Sequence, residues 1–391
     1  MTLDPGSPPN IPPILPPRPP LPAAPIAHRS AALYWSLFGT ALFVMVMCAL
    51  VSLGADMLET GTLAIIAAVA AFLPAPIYVG LFLWLDRFEP EPPHLLIATF
   101  TWGAGVAGLF ACVLNSIFHI GAASMMNPEA AGQLTASLVA PPVEETLKGL
   151  AVLILFFWRK SDFDGIIDGI IYAGMAALGF ATIENIQYYA RGMSGGIAQF
   201  GVIFVVRGLL SPYAHVLFTS MTGIGFGLAS QSSNRELRFL APVAGWICAM
   251  ALHATWNTIP LGGGLAMLAA YFVFWIPVFF GLLGLIAYSL KQESRLIQKQ
   301  LLANLEGSLL LANDAAAAAH LWPRLTGNLP VLFSGGFAEW KRMRRYQRAA
   351  TALAFYRQRL LTGRILENRD LENQYLQEIV KHRAGTSASR R

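Results

Sequence analysis

Eight long apolar stretches, parted by short polar ones, dominate this chain. They run from about Ala31 to Leu53, Gly61 to Leu85, His94 to Phe118, Leu134 to Trp158, Gly165 to Tyr189, Gly196 to Ala229, Phe239 to Ile259 and Gly264 to Leu290. Each reaches the roughly 20 residues a helix needs to cross the hydrocarbon core of a bilayer. The pattern therefore predicts an all-α fold, a polytopic transmembrane helix bundle of about eight spans. Pro74 and Pro76 predict a kink in the second span, because proline cannot donate to the helical ladder. Gly223 and Gly227, with the glycines of the fifth span, predict close backbone approach between helices.

The flanks differ in kind. Residues 1–29 carry Pro8-Pro9, Pro12-Pro13, Pro16-Pro17 and Pro19-Pro20, a density that excludes helix and sheet and predicts a disordered or polyproline tail. Residues 30–290 form the membrane domain. Residues 291–391 read as a short, basic, helical cytosolic region: an amphipathic run to Leu311, a start signalled by Asn313-Asp314, a basic helix over Trp340 to Leu361, and a short last helix over Leu371 to His382. The cluster Lys341, Arg342, Arg344, Arg345 and Arg348 suits either anionic lipid or a solvated helix face.

Composition agrees with the hydropathy pattern. Of the 391 residues, 55% are hydrophobic and 13% charged, against about 25% charged in soluble domains. The +5 net charge is uneven, with 17 of the 27 lysines and arginines beyond Leu290. It describes a basic tail beside headgroups and gives no nucleic-acid signature. Arg29, Arg87, Arg159, Lys160, Arg235 and Arg238 fall in alternate loops, opposed only by Arg191. The positive-inside rule then places both termini in the cytoplasm. Cys48, Cys112 and Cys248 lie in separate spans with no CxxC pair, so neither a zinc knuckle nor a disulfide framework is present.

Charge inside the spans is the exception to be explained. The fourth span contains Pro141-Pro142-Val143-Glu144-Glu145-Thr146-Leu147-Lys148. One charged side chain at mid-bilayer costs roughly 2.5–3.5 kcal/mol on insertion scales. Glu144 and Lys148 share a face at i and i+4, while Glu145 points about 100° away. One carboxylate is thus expected toward Lys148 and the other toward the bundle centre. The proline pair is expected to break the helix and open a wet cavity. The fifth span adds Phe180, Glu184 and Asn185. The sixth adds Arg207, Ser211 and His215, and the seventh His253 and Asn257. Asp164 reads as a cap for the fifth helix.

Taken singly, each group has a structural reading: an ion pair, a packing hydrogen bond, a snorkelling arginine. Three carboxylates, two imidazoles and an amide on four consecutive spans exceed what structure needs. A carboxylate can take a proton from water, an imidazole can assist, and a second His with an Asn one turn away can meet an oxyanion. The same donors could hold a zinc ion, although no HExxH occurs. Metal-free and zinc-dependent hydrolysis both stand. A proton- or ion-coupled transporter and a non-catalytic scaffold are the alternatives.

The ordered motifs Glu144-Glu145-x-x-Lys148, Phe180-x-x-x-Glu184-Asn185, Ser211-Pro212-x-x-His215 and His253-x-x-Trp256-Asn257, with Asp86-Arg87-Phe88-Glu89-Pro90-Glu91-Pro92 ahead of them, resemble the PrsW family of intramembrane proteases. That family is related to CAAX prenyl endopeptidases and bacteriocin-processing homologues. The resemblance spans roughly 83–257. It implies a bacterial inner-membrane endopeptidase acting on membrane-anchored proteins, an anti-sigma factor being the substrate behind the family name. It implies Glu144 and Glu145 as water-activating residues and His215 as assistant or ligand. It makes His253 and Asn257 oxyanion donors, and Glu184 a second acidic partner. By topology this site leans toward the outer half of the membrane. Oligomeric state is not legible.

Overall fold

The computed structural model describes residues 27–159, 163–210, 212–302, 321–363 and 367–383. The proline-rich stretch up to Pro25, the Asn313-Asp314 start signal and Ser211 lie outside these. Among the described residues every element is a helix. In chain order they are α1 (Ala27–Thr60), α2 (Leu63–Leu85), α3 (Pro93–Ala123), α4 (128–158), α5 (Ile166–Ser194), α6 (Ile197–Gln231), α7 (Arg235–Thr258), α8 (Gly264–Leu302), α9 (Leu321–Leu361) and α10 (Arg369–Arg383). Seven of the first eight are long and apolar enough to cross a membrane. The other, α4, is as long but carries Glu144, Glu145 and Lys148 together.

The chain divides after Phe43. In the first unit, the start of α1 carries an aromatic group of Tyr34, Trp35 and Phe38, with Thr40 Oγ1 donating to Ser36 O at 2.9 Å. Everything from Val44 onward forms the second unit, organised around α5. This helix is mostly apolar and almost wholly buried, as a helix without a solvated face must be. Helices α2, α3, α4 and α6 pack around it, and α7 packs on α6 and α4. Lipid cannot drive helices together hydrophobically, so contact distance matters. At Gly169 a Cβ would stand 2.1 Å from Gly223 O, and at Gly223 the same distance from Gly169 O. Only glycine allows α5 and α6 to meet there. That contact sets which faces of the two helices look inward.

Proline acts differently from expectation. Leu73 and Pro74 do bend α2. Pro141-Pro142, however, does not break α4. Residues 135–139 run as wider turns bonded five residues apart, and the helix continues through the pair to Trp158. Widening the turn absorbs the missing N–H groups without opening the backbone. Similar wide turns occur at Gly103–Ala107 in α3, Phe204–Leu210 in α6 and Tyr271–Trp275 in α8.

At one end of the bundle the loops before α3 and α5 meet the tail. Arg359 of α9 donates to Asp164 Oδ2 at 2.6 Å and bonds Glu89. The α5 start is capped by Asp168, not Asp164. The Asp168 carboxylate accepts the N–H groups of Asp164 (2.8 Å) and Gly165 (2.7 Å) from inside the first turn, which leaves Asp164 for Arg359. The boundary read at 290/291 falls within α8, which continues unbroken to Leu302. Gly336, at φ 73°, divides α9.

Candidate active site

The polar residues of α4 sit on the face turned toward α5, α6 and α7. Glu145 and Lys148 are 0% exposed and Glu144 is 6% exposed. The expected split between the carboxylates does not occur. Lys148 Nζ reaches Glu145 Oε1 at 2.9 Å and Glu144 Oε2 at 3.4 Å. The spacing explains this, because i,i+3 and i,i+4 neighbours both flank a helical side chain and an ammonium has three protons to give. A third contact runs to His215 Nδ1 at 3.2 Å, and the ring of Phe180 lies 3.9 Å from Nζ. Phe180, one turn before Glu184 on α5, thus covers the ammonium with its π-face.

The two carboxylates differ in how fully they are held. Glu145 Oε1 also meets His253 Nδ1 at 3.0 Å, and its Oε2 accepts Thr219 Oγ1 at 2.8 Å. Glu144 is held more loosely, by Asn115 Nδ2 at 3.3 Å and by Lys148. His253 Nε2 stands 3.9 Å from Glu144 Oε2. Glu145 is therefore the more fully bonded hub, with three partners within 3.0 Å, while Glu144 has more acceptor capacity to spare.

His215 and His253 stand edge to face, ring centroids 5.1 Å apart. Phe218 stacks on His253 at 5.0 Å, backed by Trp256 and Trp275. These rings form an apolar wall that limits water around the imidazoles. His215 Nε2 meets Glu184 Oε2 at 3.0 Å. Glu184 also accepts from Arg207 at 2.6 Å.

Five of the six residues expected at the site, Glu144, Glu145, Glu184, His215 and His253, thus join one connected network. Asn257 does not. Its Nδ2 donates to Ala136 O at 2.8 Å. The backbone accounts for this bond. In the wide turns of α4, Ala140 N–H bonds Thr135 O. The next donor in that register faces Ala136 O, but it is Pro141 and has no N–H. Asn257 supplies the missing donor. The reading from sequence missed Asn115 and Thr219. Thr219 lies one turn after His215 on the same face, a detectable signal. Asn115 is a lone amide in α3 with no periodicity to mark it.

The donors Glu144, His215 and His253 can offer one atom each within 4.8 Å of one another. One carboxylate and two imidazoles suit a divalent ion with an open position. Glu145 on His253 Nδ1 is the carboxylate partner that such a ligand ordinarily has. The donor types therefore fit a metal, with the Lys148 ammonium already touching two of the three.

A family model described as PrsW family intramembrane metalloprotease matches residues 91–282. Protease PrsW of Clostridioides difficile is 31% identical over 173 residues, covering 42% of this chain and 69% of the relative. The chain belongs to the PrsW family. Protease PrsW of Geobacillus kaustophilus is 29% identical over 195 residues (49% of this chain, 78% of the relative), and that of Bacillus subtilis 26% over 166 residues (42% and 70%). No solved structure matches the chain. As a PrsW family member it is an intramembrane peptidase. The matched segment contains the whole network, from Asn115 on α3 to His253 on α7, while α9 and α10 lie beyond it.

Proposed function

We propose that this peptidase hydrolyses peptide bonds of membrane-anchored proteins, with Glu144 as the general base. The observation that carries this assignment is the unequal saturation of the two carboxylates. Glu145 has both oxygens bonded by Lys148, His253 and Thr219, whereas Glu144 keeps room for a water proton.

In this reading water attacks the scissile carbonyl carbon and gives a proton to Glu144. The new C–O bond leaves a tetrahedral oxyanion beside the Lys148 ammonium. Glu144 returns the proton to the departing nitrogen as the C–N bond breaks, so protons balance across the cycle. Glu145 holds His253 by Nδ1 and Lys148 by Nζ, which orients both groups before substrate arrives. The aromatic wall of Phe218, Trp256 and Trp275 limits competing water. Glu144, His215 and His253 are the residues that would hold a metal ion, zinc being the ion their chemistry suits. When bound it would polarise the attacking water.

Glu184 lies beyond the midpoint of α5 and His253 near the end of α7. With both termini cytoplasmic, the site faces the outer half of a bacterial inner membrane. A single-pass regulator cut near its outer boundary, such as an anti-sigma factor, is the substrate class we assign. The test compares wild type with Glu144→Gln, Glu145→Gln and His215→Ala for single-pass membrane proteins that accumulate uncleaved. Glu144→Gln is expected to stabilise at least one. Normal processing of every such protein in all three variants, at normal expression, overturns the reading. Elemental analysis of purified protein with and without His253→Ala tests the metal set.

A further inference from the structure

Arg207 is the one cation deep in α6, yet nothing in the proposed reaction uses it. Its surroundings are specific. The guanidinium donates through one terminal nitrogen to Glu184 Oε2 at 2.6 Å and through Nε to Asn185 Oδ1 at 2.9 Å. It lies 3.5 Å from the centroid of the Tyr188 ring. Glu184, Asn185 and Tyr188 are consecutive contacts along one side of α5, so a single side chain on α6 is gripped at three points. The same Glu184 oxygen that takes Arg207 meets His215 Nε2 at 3.0 Å. The other imidazole nitrogen, Nδ1, is 3.2 Å from Lys148 Nζ.

A snorkelling arginine would extend its head toward water and leave its fork unsatisfied by protein. Here the fork is spent on two neighbouring side chains of α5, and one of them carries the hydrogen bond onward. We infer that Arg207 is a positioning residue, and that it fixes the ring of His215 through Glu184. The inference rests on the proposed function of the site.

The chemistry follows from what each link can donate. Arg207 never gives up its proton, so Glu184 is held as a charged acceptor. A charged acceptor at Nε2 requires the imidazole to carry its proton on that nitrogen. That tautomer leaves the Nδ1 lone pair directed at the Lys148 side, where Glu144 also lies. A carboxylate behind an imidazole is the arrangement that sets tautomer and ring angle in hydrolytic sites. Glu145 performs this service for His253, and Glu184 for His215. Each orienting carboxylate has its own cation: Lys148, with Thr219, secures Glu145, and Arg207 secures Glu184. Glu184 is then an orienting group, with its Oε2 shared between Arg207 and His215. The wide turn over Phe204–Leu210 serves the same end. It rotates Arg207 toward α5 ahead of the return to regular helix that carries His215.

The test is a double-mutant cycle of Arg207→Gln and Glu184→Gln, with Arg207→Lys as the conservative variant. Two quantities are read. The first is cleavage, as kcat and KM for a single-pass substrate that accumulates in Glu144→Gln cells. The second needs no substrate: diethyl pyrocarbonate labelling of His215 relative to His253, by peptide mass spectrometry in detergent. Arg207→Gln is expected to lower kcat about tenfold or more with KM little changed, in line with the loss of an outer-shell partner. It should raise the His215-to-His253 labelling ratio, and Arg207→Lys should restore part of both. In the Glu184→Gln background, Arg207→Gln should add less than its effect in wild type, because the two residues act in series.

Full additivity, or an unchanged labelling ratio in Arg207→Gln, overturns the inference. If Arg207→Gln does not purify as folded protein, Arg207→Lys takes its place in the same cycle. If no substrate accumulates in Glu144→Gln, Glu145→Gln or His215→Ala cells, the proposed function fails, while the labelling cycle still decides whether Arg207 sets His215.

Discussion

Replacing Lys148 by methionine isolates the central electrostatic problem of this fold. The ammonium is completely buried and is shared by Glu145 at 2.9 Å, Glu144 at 3.4 Å and His215 at 3.2 Å. Methionine keeps an unbranched apolar stem, one atom shorter, but withdraws the charge that both carboxylates touch. Removing one partner of a buried ion pair costs about 3–5 kcal/mol, because the remaining charge is left uncompensated. The apolar gain from the new terminal methyl is about 0.8 kcal/mol. The carboxylates therefore decide the sign, and Lys148→Met must destabilise.

The assay is thermal unfolding of the full chain in detergent, followed by tryptophan fluorescence. Lys148→Met should melt well below wild type, and Lys148→Arg should fall between them. The informative variant is Lys148→Met with Glu145→Gln. If the lysine exists to compensate the carboxylates, removing one of those charges recovers part of the loss, and the cycle is non-additive. The reasoning is refuted if Lys148→Met melts with wild type. It is equally refuted if adding Glu145→Gln lowers the midpoint by the full amount seen for Glu145→Gln alone.

Other expectations follow from separate parts of the molecule. Asn257→Ala strips the donor from Ala136 O and should cost about 1–3 kcal/mol in thermal unfolding; in a Pro141→Ala background, where an N–H is restored in register, that cost should shrink. Arg359→Ala releases Asp164 and Glu89 together and should make the 321–363 segment cleavable by added protease while the membrane helices melt near wild type. Burial pushes the Asp86 carboxyl up from 3.8 to about 8, against the Glu91 N–H that lowers it and with Asp168 raising it further. The folded chain then holds that proton more tightly than the unfolded one, so this contribution to stability is present below 3.8 and lost as pH rises through about 8. Unfolding midpoints measured across that window should fall with pH, and Asp86→Asn should flatten the slope.

The membrane helices were readable because lipid leaves the chain few options. Backbone groups must be satisfied within each segment, so long apolar runs can only be helices. The site was partly readable for the same reason. Glu144, Glu145, Glu184, His215 and His253 stand out against an apolar background, and their joint presence pointed to one cluster. What each residue touches was not readable in this way. Partner choice depends on the rotation of each helix about its axis, and that rotation is set by contacts such as Gly169 against Gly223. A sequence pattern places Glu184 on a face of α5, but not that this face looks at Arg207 as well as His215. Thr219 and Asn115 are ordinary in composition and become notable only when they meet Glu145 and Glu144.

Asn257 and Pro141-Pro142 are where local and tertiary reasoning part most clearly. Taken alone, two prolines in a span predict a broken helix, and an Asn one turn after a His predicts a second donor at the reacting centre. Together they have a different account. The chain widens its turns before the prolines, the register then sets Pro141 opposite Ala136 O, and Asn257 from α7 completes the bond that proline cannot make. A proline in one helix thus creates the requirement for an amide on another, 116 positions on in the numbering from Pro141 to Asn257. The bond fastens α7 to α4 on the stretch just ahead of Glu144 and Glu145. That fastening keeps His253, one turn before Asn257, within reach of Glu145 Oε1 at 3.0 Å. On this account the amide serves the reaction by holding the helix that carries the imidazole.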